Sequence, residues 1–215
     1  KMSKCNRHSR FPMVVTLITL IFFYAPLIIV ATASFNASKY GGRWTGFSLK
    51  WYQKLFSDYS IWEALSNTLI IALIATFFST LLGTLAALAL YRSRSRFRGL
   101  YYALVYSPLV VPDILLGISL LLLFVSILSV CGAWVEQLTG IKMELGMTTI
   151  IIAHITFCMS YVTMVVLGRL QDFDSSLIEA AQDLGANSLQ TFFKVTLPVI
   201  SPGVIAGALF AFTLS

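Results

Sequence analysis

Charge is scarce in this sequence, and its scarcity is organised. Asp, Glu, Lys and Arg make up 11% of the 215 residues, where a soluble domain carries about 25%. Five stretches have no charged residue at all: Phe11 to Ser38, Ala64 to Tyr91, Ile114 to Val135, Leu145 to Gly168 and Val195 to Ser215. Each is close to or longer than the roughly 20 residues that a helix needs to cross about 30 Å of hydrocarbon. Short alternating segments, the mark of a transmembrane barrel, give way to runs rich in Leu, Ile and Ala. Helices satisfy their own backbone groups in lipid, so the reading is an all-α membrane protein with five transmembrane helices.

Other absences narrow the chemistry. The three cysteines (Cys5, Cys131, Cys158) are far apart, and no Cys-x-x-Cys or Cys/His ligand spacing occurs. Neither a disulfide framework nor a metal site is supported, so no metal ligand is assigned. There is no G-x-x-x-x-G-K-[ST] phosphate loop, so this chain is not an ATP-hydrolysing component. An intramembrane protease would need a Ser/His, paired-Asp or H-E-x-x-H constellation. Here one His and one Asp lie in different apolar spans. No enzymatic role or bound cofactor is expected. No long repeat, low-complexity tract or polar region large enough for its own core interrupts the pattern.

The charges that remain lie at the span ends. Lys and Arg number four before the first span, four between spans 1 and 2, four between 2 and 3, one between 3 and 4, and two between 4 and 5. A cytoplasmic N-terminus puts ten inside and five outside, as the positive-inside rule requires. The net charge of +6 is therefore an orientation signal rather than a nucleic-acid patch. Arg92, Arg94, Arg96 and Arg98 also suit anionic lipid head groups. A cleavable signal peptide is the alternative for the first span, given Lys1, Lys4, Arg7 and Arg10. The apolar run is long for that role, and Ala31-Thr32-Ala33 is a weak cleavage site.

The expected layout is a cytoplasmic tail over 1–12 and a transmembrane domain over 13–215. Its spans cover about 13–34, 64–91, 105–131, 147–167 and 199–215, with a cytoplasmic loop at 168–198. Between spans 1 and 2, Tyr40, Trp44, Phe47, Trp51, Tyr52, Phe56 and Tyr59 mix with Lys and Arg, as at a membrane interface. A short helix is expected around Trp51 and Leu55. Gly83 with Ala87, and Gly203 with Gly207, offer small faces for close helix packing. Pro108 and Pro112 remove backbone donors four residues apart, and Asp113 follows at once, so span 3 should be broken or kinked there.

The loop after span 4 is the most informative segment. Ser176 and Glu179 have capping-box spacing, and Leu177, Ile178, Ala181 and Leu184 make one apolar face. Gly185 is placed to end this helix in a left-handed conformation. Asn187 or Ser188 can start a second short helix, expected to stop before Pro198. The result is a helix–turn–helix elbow that packs beneath its own bundle or receives a partner; the residues alone leave both open.

Glu179-Ala180-Ala181, Gly185 and Leu197-Pro198 resemble the EAA loop of permease subunits in bacterial ABC importers. The resemblance spans essentially the whole chain, including the stretch His154-Ile-Thr-Phe-Cys158. Within that family, Leu49-Lys-Trp51-Tyr52, Pro108 to Ser119 and Phe212 to Ser215 look like the spermidine/putrescine permeases. The resemblance implies a multi-pass protein of the bacterial inner membrane whose loop docks on a cytoplasmic ABC ATPase dimer that holds ATP and Mg. It also implies a second permease in a heterodimer, and a periplasmic or extracellular substrate-binding protein. Such permeases usually have a sixth span, so the chain, ending at Ser215, is expected to be C-terminally incomplete.

Substrate contacts follow from the same resemblance. Asp113 is the one acid inside an apolar region and Trp51 offers an aromatic face; with Ser215 they are the candidate substrate-binding residues. Ammonium groups call for carboxylates, and aromatic faces suit cations and methylene chains. Alternatives stay open: Asp113 as a helix cap, Trp51 as an interfacial anchor, and His154 as a hydrogen-bonded structural residue or a proton relay. Other solutes of similar permeases (ferric ion, phosphonate, thiamine or sulfate) remain alternatives, as does an ATP-independent channel or scaffold.

Overall fold

A computed structural model describes residues 10–39, 42–93, 95–139 and 144–215. The expectations placed on Lys1, Lys4, Cys5, Arg7, Tyr40 and Arg94 lie outside these residues, as does most of the 1–12 tail. Among the described residues run α1 (Arg10–Ala33), α2 (Lys50–Ser57), α3 (Tyr59–Arg92), α4 (Arg98–Val110) and α5 (Asp113–Thr139). Then come α6 (Met147–Gln171), α7 (Ser176–Asp183), α8 (Ser188–Thr191), a π-helical turn (Phe192–Thr196) and α9 (Leu197–Leu214). Five runs are long and apolar enough to cross a membrane: Phe11–Ala33, Tyr59–Arg92, Asp113–Gly132, Met147–Gln171 and Ser188–Leu214.

The number of spans agrees with the sequence reading, while several boundaries do not. Helix α3 starts at Tyr59 rather than near 64, because Asp58 Oδ1 accepts from Ser60 N at 3.1 Å and Ser60 Oγ at 2.7 Å. These bonds satisfy donors of the first turn before the apolar run begins. Helix α6 runs on to Gln171 instead of ending at 167. The expected span 105–131 joins two elements: α4 stops at Val110, Val111 is extended (φ −73°, ψ 130°), and α5 begins at Asp113. Pro112 causes this, since its ring pushes the preceding residue out of the helical region.

Pro108 and Pro202, by contrast, stay inside helices. Each follows a serine whose hydroxyl takes the carbonyl that the proline cannot serve: Ser107 Oγ donates to Leu104 O at 3.0 Å, and Ser201 Oγ to Pro198 O at 2.8 Å. Pro198 is passed differently. The helix expected to stop before it runs straight through, because the π-turn widens the register and Leu197 N reaches back to Phe192 O.

The contacts divide the chain into two units, Lys1–Leu65 and Ser66–Ser215. In the first, Asn36 is 3% exposed and organises the turn after α1. Its Oδ1 accepts from Thr45 N at 3.0 Å and Thr45 Oγ1 at 3.1 Å, and its Nδ2 donates to Arg43 O at 2.7 Å. Phe35 stacks on Phe47 and packs against Tyr52, with ring centroids 5.4 and 5.3 Å apart.

In the second unit the core is built on small residues. Ala72, Ala75, Ser79, Gly83, Ala87 and Leu90 form the buried stripe of α3, and Gly203, Gly207 and Ala211 lie buried on α9. Val162 of α6 sits between them: a Cβ on Gly83 would lie 2.8 Å from Val162 Cβ, and one on Gly207 3.3 Å from Val162 Cγ1. Absent side chains let backbones approach, which is how helices gain packing in lipid. The remainder of the core is Cys158, Val166, Leu167, Leu170 and Ile200.

Candidate functional site

The predicted residues of the second unit lie in two places. The first is the elbow after α6. Ser176 does not cap α7; it lies inside the first turn, and Ser175 at the cap position makes no side-chain cap bond. Asp174 does the work instead, its Oδ1 accepting from Ser176 N at 3.0 Å. The Ser176–Glu179 box is replaced because a carboxylate two residues earlier is a stronger acceptor than a hydroxyl. The bond from the Ser176 backbone N–H, helped by the Ser176 hydroxyl, holds the exposed Asp174 carboxyl below its ordinary value.

Helix α7 ends as its glycine predicts. Gly185 has φ +85°, Gly185 N donates to Gln182 O at 2.9 Å, and Ala186 N to Ala181 O at 3.0 Å. This paired 5→2 and 6→1 pattern is a Schellman motif. Asn187 then starts α8 with a reciprocal box: its Oδ1 accepts from Gln190 N at 2.8 Å, and its N donates to Gln190 Oε1 at 3.0 Å. Both turns are fixed by local bonds, so the elbow is preformed. Its outer surface carries Leu177, Leu184, Leu189 and Phe193, with Leu184 90% exposed. Glu179 and Ala180 are exposed, Ala181 is half-buried, and Leu197 and Pro198 lie where the π-turn passes into α9.

The second place is the break before α5. Asp113 opens α5 and is exposed, with no side-chain partner among the described residues. A cleft of about 440 Å³ lies along the same helix, lined by Gly117, Leu120, Leu121, Phe124, Leu145, Gly146, Thr149, Ile150, Ala153 and His154. His154 is half-buried, and its Nδ1 lies 3.0 Å from Ser215 Oγ. The predicted Ser215 and His154 are thus joined, a link that no local motif announces because they are 61 residues apart.

Trp51 belongs to the first unit. Its indole N–H donates to Asn36 O at 3.0 Å, and Lys50 Nζ lies 4.8 Å from its ring centroid. Asn36, which holds this turn together, was not legible in the sequence: its partners are Arg43, Thr45 and Trp51, at no motif spacing.

Residues 79–215 match the family model described as "Binding-protein-dependent transport system inner membrane component". The putrescine transport system permease protein PotI of Escherichia coli K12 is 43% identical over 205 residues, covering 94% of this chain and 70% of that protein. The spermidine/putrescine transport system permease protein PotC of Haemophilus influenzae is 38% identical over 194 residues, covering 90% and 70%. Among solved structures, a bacterial ABC transporter involved in import of the acidic polysaccharide alginate aligns with a TM-score of 0.71 at 20% identity. That alignment covers 93% of this chain and 70% of the transporter chain. At that identity it speaks for the fold.

Proposed function

Because this chain belongs to the family of binding-protein-dependent transport system inner membrane components, we propose that it is the permease subunit of an ATP-driven importer of polyamines, putrescine or spermidine. The observation that carries this reading is likeness along nearly the whole chain to permeases named for those two solutes. Asp113, with no side-chain partner among the described residues, suits an ammonium group. One carboxylate cannot balance two or three positive charges, so further acids would come from a second permease, making a heterodimer, or from elsewhere in the assembly. Trp51 is tied down by Asn36 and Lys50, which supports an anchoring role for it beside any cation contact.

The elbow supports coupling to a cytoplasmic ATPase dimer, which would hold ATP and Mg. A rigid, capped pair of turns with exposed Leu184 and Leu189 transmits force better than a flexible loop. ATP binding would bias the bundle between inward- and outward-facing packings through this contact. A substrate-binding protein outside would deliver the solute. The N-terminus lies in the cytoplasm on this reading, and a cysteine at Ser38 would react with a membrane-impermeant thiol reagent from outside.

The test is uptake of labelled putrescine and spermidine into proteoliposomes holding the assembled importer, with ATP inside. ATP-dependent accumulation of either is expected, and Asp113→Asn should reduce it strongly while the complex still co-purifies. Accumulation of a different solute, with neither polyamine taken up, would overturn the assignment.

A further inference from the structure

The cleft between α5 and α6 is lined along the face of α5 that begins at Asp113, although Asp113 itself is not among its lining residues. Counting along α5 from Asp113, Gly117 follows at four residues, Leu120 and Leu121 at seven and eight, and Phe124 at eleven. That spacing keeps all of them on one helical face. Four of them line the cleft, so Asp113 lies one turn beyond Gly117 on the cleft-facing side of α5. Gly117 has nothing within 4 Å of where a Cβ would be, which leaves the way along this face open. On the opposite wall stands His154, the one ionisable side chain among the cleft's lining residues.

We infer that His154 is a further substrate contact, accepting a hydrogen bond from an ammonium group while the α5 wall holds the methylene chain. This rests on the polyamine reading above. An imidazole accepts through one nitrogen only when its other nitrogen carries the proton. Ser215 Oγ, 3.0 Å from Nδ1, can accept a hydrogen bond from Nδ1–H, and Nε2 is then left with its lone pair for the substrate. A cation in the cleft favours this arrangement over the reverse one. The walls suit the remainder of an alkyl ammonium: Leu120, Leu121 and Ile150 bury methylenes, and Phe124 offers a ring face for the charge. A polyamine joins ammonium groups by short apolar stems, and the apolar wall of α5 with His154 across from it offers a contact for each.

The experiment uses the assembled importer in proteoliposomes and measures putrescine uptake against concentration. His154→Leu should raise the half-saturating concentration by roughly tenfold or more, since a hydrogen bond to a charged group is lost. His154→Gln, whose amide oxygen can replace Nε2, should stay within about threefold of the wild type. Ser215→Ala, which frees the ring to turn and change its protonated nitrogen, should fall between them. Co-purification with the partner subunits should be unchanged in all three. Wild-type behaviour in His154→Leu would overturn the inference while leaving the polyamine assignment intact. Equal loss in the Leu and Gln variants, together with loss of assembly, would also overturn it and make His154 a strut between α6 and α9. A wild-type importer that takes up no polyamine would remove the assignment itself, and the inference with it.

Discussion

Helices α5 and α9 are both apolar, yet they end in opposite situations. In the Asp113–Gly132 span no residue is buried within the chain, while α9 buries Ile200, Gly203, Gly207 and Ala211. Hydrophobicity does not separate them, because lipid and protein interior are equally apolar to a Leu side chain. What separates them is where the small residues fall. Gly203 and Gly207 are spaced by one turn and meet α6 at Arg169 and Val162, whereas Gly117 and Gly132 of α5 meet nothing within 4 Å. Hydropathy therefore locates a span, and small-residue spacing locates its neighbours. The exposed Leu and Ile surface of α5 and α1 is what remains available to lipid or to other subunits.

The strongest way to break this contrast is to put side chains on the glycines. Gly83→Leu drives a Cβ to 2.8 Å from Val162 Cβ and 2.9 Å from Met159 O, and a backbone oxygen cannot swing aside. The cost should be about 3 kcal/mol or more, at the upper end for overpacking. Gly207→Ala, 3.3 Å from Val162 Cγ1, should cost less because the methyl can shift slightly. Gly132→Ala on α5 meets no neighbour and should gain about 0.5–1 kcal/mol from chain entropy alone. Heating the detergent-solubilised protein and following the folded fraction by size exclusion orders the three. An equal effect at Gly83 and Gly132 would mean that the α3–α6 contact is not what holds the bundle.

A smaller effect is expected at Gly185, where the obstacle is conformation rather than space. Nothing lies within 4 Å of its would-be Cβ, but φ is +85°. Gly185→Val therefore penalises only the left-handed turn, by about 1–2 kcal/mol. The bundle should fold and melt nearly as the wild type, while α7 loses its Schellman end and ATP hydrolysis in the assembled importer proceeds with less transport. Full coupling in that variant would show that the elbow does not need its preformed shape. A large drop in thermal stability would place the elbow within the core, against its exposed surface.

These contrasts also mark what could be read in advance. The five spans, the break at Pro112, the left-handed Gly185, the Asn187 cap and the two small-residue faces each rest on residues adjacent or one turn apart. Local chemistry decides them. The errors came where a neighbour changed a local rule. Asp174 outcompeted Ser176 for the start of α7, and Asp58 started α3 early. A π-turn carried the helix through Pro198. Ser107 and Ser201 quietly repaired the carbonyls that Pro108 and Pro202 abandon. Of the candidate site, the sequence supplied Asp113, His154 and Ser215 singly. It did not supply the His154–Ser215 bond or the cleft, which depend on how α5, α6 and α9 pack.

The smallest predicted effect compares two aspartates whose carboxylates accept from the first turn of a helix, Asp58 and Asp174. Asp58 is half-buried and Asp174 exposed, and both are held below the ordinary carboxyl value near 3.8, Asp58 chiefly by the Ser60 hydroxyl and Asp174 chiefly by the Ser176 backbone N–H. A depressed native pKa means that folding favours the ionised form. Each bond's contribution is therefore complete above the ordinary value and disappears as pH falls through the lowered native one. The two helices should not respond alike. Helix α3 has 34 residues and buried neighbours, so losing one cap frays only its first turn. Helix α7 has eight residues, none buried, and short helices depend on their ends. Amide exchange followed down to about pH 3 should show protection falling across 177–180 while the middle of α3 stays protected. Asp174→Ala should reproduce that loss at neutral pH, and Asp58→Ala should touch only the residues next to it. Unchanged exchange in Asp174→Ala would remove the carboxylate as the cap, leaving the Gly185 end of α7 as the element that holds the elbow in shape.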